Sequence, residues 1–116
     1  MDRVEQTRLK QYRQWIQAVL QHHSDLPSSY GEITTFPVFD TVRDHYQVVS
    51  VGWENRRRFF GCLIHIDILD GKIWVQYDGT EEGVANELVE LGIPKSEIVL
   101  GYKAPYARKY TEFAIG

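Results

Sequence analysis

The sequence predicts an α+β domain, with an antiparallel-rich sheet and two helices, one N-terminal and one in the C-terminal half, packed on one face. Three observations predict this fold. The N-terminal region has helical periodicity, the central region alternates with strand periodicity around an Asp-Gly turn, and a second helical period follows. The order helix, several strands, helix and strand is typical of α+β proteins.

The N-terminal segment, residues 4–23, has apolar residues at every third or fourth position and polar residues between them. This spacing predicts an amphipathic helix. Residues 24–31 contain a proline, two further serines and a glycine, which indicates a loop. The apolar positions of the predicted helix are Leu9, Tyr12, Ile16, Val19 and Leu20.

Two β-rich segments follow the loop. Residues 32–40 are β-branched and aromatic, but Pro37 cannot donate a ladder hydrogen bond, so we expect an edge strand or a bulged one. Residues 45–53 have a cleaner strand pattern. A polar turn over residues 54–58 then leads into the most apolar run of the chain, residues 59–69.

Asp70 and Gly71 are predicted to form a two-residue type I′ turn between that run and residues 72–78. Pairing Leu69 with Lys72 decides which side chains share a face, because alternate residues of a strand point to opposite sides. The predicted core face consists of Ile64, Ile66, Ile68, Ile73, Val75 and Tyr77. The predicted opposite face consists of His65, Asp67, Lys72, Trp74, Gln76 and Asp78.

The second helix is predicted to start near Thr80, a plausible N-cap followed by two glutamates that suit the positive end of a helix. Gly92 is placed to end this helix in a left-handed conformation. A short strand over residues 97–102 follows, and we expect the tail beyond it to be docked and partly extended. The apolar stripe of the helix consists of Val84, Leu88 and Leu91.

Length and charge limit the class of protein. A chain of 116 residues suits one hydrophobic core, so we expect a single domain over residues 1–116. The formal net charge of -3 argues against a protein that grips DNA by bulk electrostatics. No stretch approaches the roughly 18 apolar residues that span a bilayer, and the N-terminus lacks a secretory signal. We therefore expect a cytoplasmic protein with no membrane contact and only indirect contact with DNA.

Three stretches resemble the XisI family in the same order: FDTVRDHYQVVSVGW from Phe39, GCLIHIDILDGKIWVQYDGTEEGVANELVELGIPKSEIVLGY from Gly61, and RKYTEFAIG at the end. The resemblance covers roughly the last two-thirds of the chain, and the N-terminal YRQWIQAVL is similar too. It implies a small cyanobacterial protein that works with a recombinase and a companion, XisH, in excising the fdxN DNA element as nitrogen-fixing cells differentiate. It implies no set of catalytic residues.

Histidines and carboxylates gather on the predicted strands. His65 and Asp67 alternate onto one face, near Asp78 across the hairpin, and such groups can hold a divalent metal for phosphodiester cleavage. The run Asp70-Gly71-Lys72 matches the D/E-x-K fragment of many metal-dependent nucleases, but it lies in the turn itself. We favour either a half-exposed sheet face or a hydrogen-bonded network beneath a helix, and we expect no metal, cofactor or catalytic site. The neighbouring strand region adds Asp40, Asp44 and His45.

Residues 78–83, DGTEEG, have some features of a phosphate site at a helix N-terminus. Two acidic residues in the first turn would repel a phosphate, so we favour a capped helix start. Cys62, the single cysteine, cannot form an intramolecular disulfide or a cysteine metal cage. Because it lies in an apolar run, we expect an inert, buried thiol.

Bases and aromatic residues are interleaved in the predicted arginine turn and in the tail. This mixture suits single-stranded nucleic acid and also protein interfaces, and the acidic total favours an interface. Trp74, on the polar side of the hairpin, has to be covered by a helix, by the tail or by another subunit. The tail also contains Tyr102, Lys103 and Phe113. The predicted interface residues are Trp74, Arg56, Arg57, Arg58, Tyr106, Arg108, Lys109 and Tyr110.

The sequence therefore predicts a non-catalytic accessory protein that controls excision of a DNA element through protein partners, such as a XisH-like protein and possible further copies of itself. Two alternatives from other classes stay open. One is a metal-dependent nuclease that uses Asp67, Asp78 and Lys72. The other is direct DNA binding through the three arginines and the tail.

Overall fold

The computed structural model describes residues 3–27 and 32–116, which form one five-stranded sheet with helices packed against it. The strand order is β1-β2-β3-β4-β5, antiparallel throughout except that β5 runs parallel to β4. The predicted α+β class is confirmed. The helices are α1 (Arg3–Asp25), α2 (Val84–Leu91) and the single-turn α3 (Pro105–Arg108). The strands are β1 (Glu32–Asp40), β2 (His45–Glu54), β3 (Arg57–Leu69), β4 (Lys72–Asp78) and β5 (Ile98–Leu100).

Helix α1 buries the predicted apolar stripe against β1, β2 and α2. It continues two residues beyond the predicted end, because the buried Ser24 hydroxyl donates to the Leu20 carbonyl 2.9 Å away and Asp25 completes the last turn. The predicted loop start at Ser24 is therefore wrong, and residues 28–31 of that loop lie outside the described residues. None of the helices in the described ranges is both long and apolar enough to cross a membrane.

The core lies between the helices and the inner face of the sheet. Strand β3 occupies the centre of the sheet, and its three inward isoleucines are almost or completely inaccessible. Pairing partners on both sides extend this surface, and α1 and α2 cover it. The main inward side chains of the sheet are Tyr46, Val48, Ile64, Ile66, Ile68, Ile73 and Val75.

The β3–β4 hairpin has the predicted turn and register. Asp70 and Gly71 adopt φ angles of 50° and 79°, as a type I′ turn requires, and Leu69 pairs with Lys72. Further along, the register shifts by one residue between Ile66 and His65, so that Gln76 is the extra residue of a β-bulge. The bulge turns Tyr77 out of the predicted core face, and Tyr77 is exposed.

Asp78, predicted to share the polar face with His65, is turned by the same bulge towards the start of α2. Its Oδ2 accepts the Val84 N–H at 2.8 Å, and its Oδ1 accepts the Thr80 N–H at 2.9 Å. Thr80 is therefore not the N-cap. Its hydroxyl accepts the Gly83 N–H in the loop before the helix. Gly92 ends α2 with φ 122°, as predicted.

Two strand boundaries differ from the sequence expectation. Strand β2 ends at Glu54 and β3 already starts at Arg57, so the turn contains only Asn55 and Arg56. The predicted three-arginine turn is wrong, because Arg57 and Arg58 pair with β2 as part of the ladder. Strand β1, with its proline, lies at one edge of the sheet, as predicted.

Asp44 joins α1 to the sheet. Its carboxylate accepts Arg13 Nε–H at 2.7 Å, Arg13 Nη2–H at 3.0 Å and the hydroxyl of the buried Tyr46 at 2.7 Å. Its backbone carbonyl accepts the Ile68 N–H, and its φ is 61°. Burial raises the pKa of Tyr46 well above its ordinary value, and the hydrogen bond to Asp44 raises it further. Asp44 thus connects α1 and β2 through its carboxylate and β3 through its backbone carbonyl.

We predict that Asp44→Ala lowers the free energy of unfolding by about 3 kcal/mol, because it leaves the Arg13 charge and the Tyr46 hydroxyl without their acceptor. Asp44→Asn should cost less, since asparagine accepts a hydrogen bond and tolerates the positive φ. Urea denaturation followed by circular dichroism measures both. Arg43→Ala, exposed in the same turn, is the control and should change stability little. Equal stability of Asp44→Ala and the control would contradict this prediction.

Candidate functional site

The sheet face opposite α1 and α2, here termed the open face, carries the polar and aromatic side chains that do not belong to the core. Neither α1 nor α2 covers it, so its side chains meet each other, the C-terminal tail or solvent. The strand registers place His45, His65, Asp67 and Trp74 on this face. Any chemistry or recognition by the sheet is therefore concentrated here.

His45, His65 and Asp67 form a compact group, here termed the histidine cluster. His45 lies on β2 directly opposite Asp67 on β3, and His65 is two residues before Asp67 on the same strand. His45 Nδ1 and His65 Nε2 each lie 2.7 Å from the same oxygen, Asp67 Oδ1. The carboxylate is buried, whereas 49% of the His45 side chain and 29% of the His65 side chain are exposed.

Two glutamines support the histidine cluster. Gln76, the bulge residue of β4, donates to Asp67 Oδ2 at 3.2 Å, and the Gln47 amide lies 3.0 Å from His65 Nδ1. Burial alone would raise the pKa of the Asp67 carboxyl, but hydrogen bonds from His45, His65 and Gln76 outweigh it and leave that pKa below its usual value. A hydrogen-bonded network is thus present, but it lies on the half-exposed open face rather than beneath a helix, and Asp67 is its shared acceptor.

The other members of the predicted carboxylate group lie elsewhere. Asp78 caps the start of α2, Asp44 binds Arg13, and Asp40 accepts two backbone N–H groups of its own turn. Lys72 Nζ donates to the Gly116 carbonyl at 2.5 Å. The proposed nuclease set of Asp67, Asp78 and Lys72 is therefore not assembled. The loop before α2 uses its polar groups for capping, as we favoured over a phosphate site.

The C-terminal tail covers part of Trp74. The Arg108 guanidinium lies 5.1 Å from the centre of the indole ring and donates to the carbonyls of Gly101 and Lys103. A Cβ at Gly101 would stand 3.2 Å from Trp74 Cε3, so the backbone passes close to the ring there. Coverage by the chain's own tail, one of the three alternatives for Trp74, is thus observed.

The other predicted interface residues of the tail are exposed: Tyr106, Lys109 and Tyr110. Tyr106 is 78% exposed and Tyr110 81% exposed, and Lys109 lies over the Tyr110 ring. The tail is docked but only partly extended: α3 forms one helical turn, and Ala114 forms a parallel bridge with Val99 of β5. Two large aromatic side chains are thus presented to solvent next to a base, and their role as partner contacts stays a prediction.

A second exposed group lies at the far end of the β2–β3 hairpin. Trp53, Arg58 and Phe60 lie on the open face here and are termed the tip surface. Arg58 lies over the Trp53 ring at 5.5 Å, and the Phe60 side chain is 76% exposed. Sequence reasoning selected the arginines but missed Trp53 and Phe60. The lengths of the strands contained the signal. Strands β2 and β3 extend past the end of β4, so the sheet is narrower at this end and its side chains are less covered.

The tip surface and the tail are separate. Arg58 lies nine residues before Asp67 on β3, and Asp67 pairs with Trp74 beneath the tail. At about 3.3 Å per residue, roughly 30 Å separates them along the strand. The structure therefore does not bring Arg56, Arg57 and Arg58 together with the tail residues into one predicted interface.

Comparison with known proteins decides the family. The family model described as XisI protein matches residues 5–115, which is nearly the whole chain. The chain belongs to the XisI family. Comparison with the curated proteins gives no match.

Two solved structures of XisI-type proteins are similar to this chain. A XisI-like protein from Anabaena variabilis is 39% identical, with a TM-score of 0.87, over 93% of this chain and 99% of that one. The fdxN element excision controlling factor XisI from Anabaena variabilis is 33% identical, with a TM-score of 0.82, over 94% and 99% of the two chains. The fold of these proteins is thus shared over nearly the whole chain.

Cys62 of this XisI-family chain differs from the sequence expectation. It was predicted to be buried, but the register places it on the open face across from Val49, and it is exposed. The one-residue shift in register between β2 and β3 explains this. Beyond the extra residue, the β3 side chains that would otherwise point into the core point to the open face. Nearby protein atoms still desolvate the thiol partly and raise its pKa, which keeps it a weak nucleophile.

We predict that Arg108→Ala loosens the tail of this XisI-family protein, because it removes the cation from the Trp74 ring and two hydrogen bonds to tail carbonyls. A loss of about 1 kcal/mol would speed exchange of the Ala114 amide about fivefold. Hydrogen exchange measured by NMR tests this. Lys109→Ala is the matched control, since Lys109 contacts only its neighbour Tyr110 among the ring contacts of the described residues. Equal exchange in both variants would contradict the prediction.

Proposed function

We propose that this protein is a controlling factor in the excision of a DNA element and that it acts by binding a protein partner in the cytoplasm, without catalysing a reaction. The observation that carries the proposal is the 33% identity, over nearly the full length of both chains, to the fdxN element excision controlling factor XisI. Similarity over nearly the whole of both chains favours a shared role more than a short motif would.

The charge of the chain supports a role through proteins. Acidic residues outnumber Lys and Arg by 16 to 13, so the chain lacks the excess of bases that sequence-independent DNA binding requires. Of the three arginines at the end of the hairpin, Arg58 is already engaged within the protein. Its guanidinium lies over the Trp53 ring, and its backbone pairs with β2. Contact with DNA is therefore expected to run through the partner.

The partner we propose is a XisH-like protein, with a second copy of this chain as a further candidate. The contact surfaces are the tip surface and the exposed tail aromatics Tyr106 and Tyr110. Tryptophan, tyrosine and arginine are the residues that most often anchor protein interfaces. An exposed phenylalanine beside a stacked Trp–Arg pair gives the tip surface this composition.

We predict that the XisH-like companion co-purifies with this protein and that Phe60→Ser weakens binding at least about tenfold. The reason is that Phe60, at 76% exposed, is the more exposed of the two large apolar side chains of the tip surface. Val42→Ser is the matched control, because Val42 is an 86% exposed apolar residue in the β1–β2 turn, away from the tip. Surface plasmon resonance with immobilised companion measures both. If the companion does not bind the wild-type protein, the proposed partner is wrong. If Phe60→Ser and Val42→Ser bind the companion equally well, the tip surface is not the contact surface.

We also predict that the purified protein leaves DNA intact. Supercoiled plasmid and single-stranded DNA, incubated with Mg²⁺, Mn²⁺ or Zn²⁺, should show no cleavage above buffer, since Asp78 and Lys72 are engaged away from Asp67. Cleavage that copurifies with the chain and disappears in Asp67→Ala would overturn the non-catalytic proposal. Cleavage that persists in Asp67→Ala indicates a contaminating nuclease.

A further inference from the structure

The histidine cluster brings three metal-binding atoms to one point on the open face. In the described ranges it is the group of histidine, cysteine or acidic residues whose donor atoms lie close enough to share an ion. His45, His65 and Asp67 each offer one donor atom, and the three atoms lie within 4.8 Å of one another. Residues at i and i+2 of a strand share a face, and a residue directly opposite on the next strand joins them. The backbone thus aims all three side chains the same way.

From this arrangement we propose that His45, His65 and Asp67 form a binding site for a transition-metal ion of the Zn²⁺ class. Two imidazoles and one carboxylate suit zinc, which takes three protein ligands and a water in open sites. Mg²⁺ and Ca²⁺ prefer all-oxygen surroundings and fit this donor set poorly. The exposed fractions of the two histidines leave the fourth position accessible to water.

The distances are close to those that zinc needs. Donor atoms bound tetrahedrally at about 2.0–2.1 Å stand roughly 3.3 Å from each other. Here both imidazole nitrogens lie 2.7 Å from Asp67 Oδ1, so moving each nitrogen away from that oxygen by about half an ångström brings these two distances to the value that zinc needs. Small side-chain rotations supply a movement of that size without a change of backbone.

The surroundings of the cluster have the features of a supported metal site. Ligands of a bound ion are oriented by partners on their other atoms. Gln76 donates a hydrogen bond to Asp67 Oδ2, which leaves Oδ1 for the ion. The Gln47 amide faces His65 Nδ1. Once this amide rotates, Gln47 Oε1 accepts the proton on His65 Nδ1. Tyr46 and Ile66, the fully buried neighbours of the ligands, fix the two strands. The site therefore goes beyond the hydrogen-bonded network that the sequence predicts, and it is independent of the proposed partner.

Zinc binding to the full chain, freed of metal by chelation, tests the site. Isothermal titration with Zn²⁺ alone should give one equivalent per chain at micromolar affinity or tighter, and Co²⁺ should give the visible absorption of a four-coordinate ion. His45→Gln, His65→Gln and Asp67→Asn should each weaken binding at least about 100-fold, and Gln76→Leu about tenfold. Circular dichroism shows that each variant is folded. Because His45 is half exposed, His45→Gln is the variant least disturbing to the sheet.

His22→Gln provides the control, since His22 is an exposed histidine on α1, far in sequence from the cluster. It should bind zinc as the wild type does. The inference is overturned if the folded wild-type chain binds no stoichiometric zinc, if the ligand variants bind as tightly as the wild type, or if His22→Gln loses as much affinity as they do. These readouts do not involve the companion protein, so they are separate from a failure of the proposed function.

Discussion

The two long helices, α1 and α2, cover the same face of the sheet, and this constraint determines what the rest of the chain has to do. The inward isoleucines of β3 are sealed by α1 and α2, so stability is concentrated on that side. Side chains on the open face need another solution. Three are visible in the structure: hydrogen bonding around the buried Asp67, coverage of Trp74 by the tail, and exposure at the tip surface. Each region of possible function corresponds to one of these solutions.

Local chemistry accounts for the parts of the fold that were predictable. The Asp70-Gly71 pair specifies a two-residue turn, and that turn specifies the pairing of the residues beside it. Gly92 ends α2 because it tolerates a positive φ, and Pro37 restricts β1 to an edge. These features depend on one or two residues each, so they can be read without knowing the tertiary structure.

The two β-bulges account for most of what was missed. Counted from the pair Glu54–Arg57, an unbroken ladder would set His45 opposite Ile66, on the core side; the shift next to Leu63 sets it opposite Asp67 instead. The bulge at Gln76 likewise moves Asp78 from the cluster to the start of α2. No local pattern marks an inserted residue in a ladder, because the helices and the neighbouring strands decide where it is tolerated. The sequence therefore indicated all three members of the histidine cluster, but within a larger group that also contained Asp40, Asp44 and Asp78.

The edges of the sheet limit how copies of this chain can assemble. Among the described residues, β1 forms one border, and a proline at its middle has no N–H to offer an incoming strand. The other border, β5, is three residues long and already bridged by Ala114. Continuous strand addition, the usual route from a sheet to a fibril, is therefore disfavoured at both borders. Assembly of this protein is thereby directed to side-chain contacts across faces, where shape and composition select the partner.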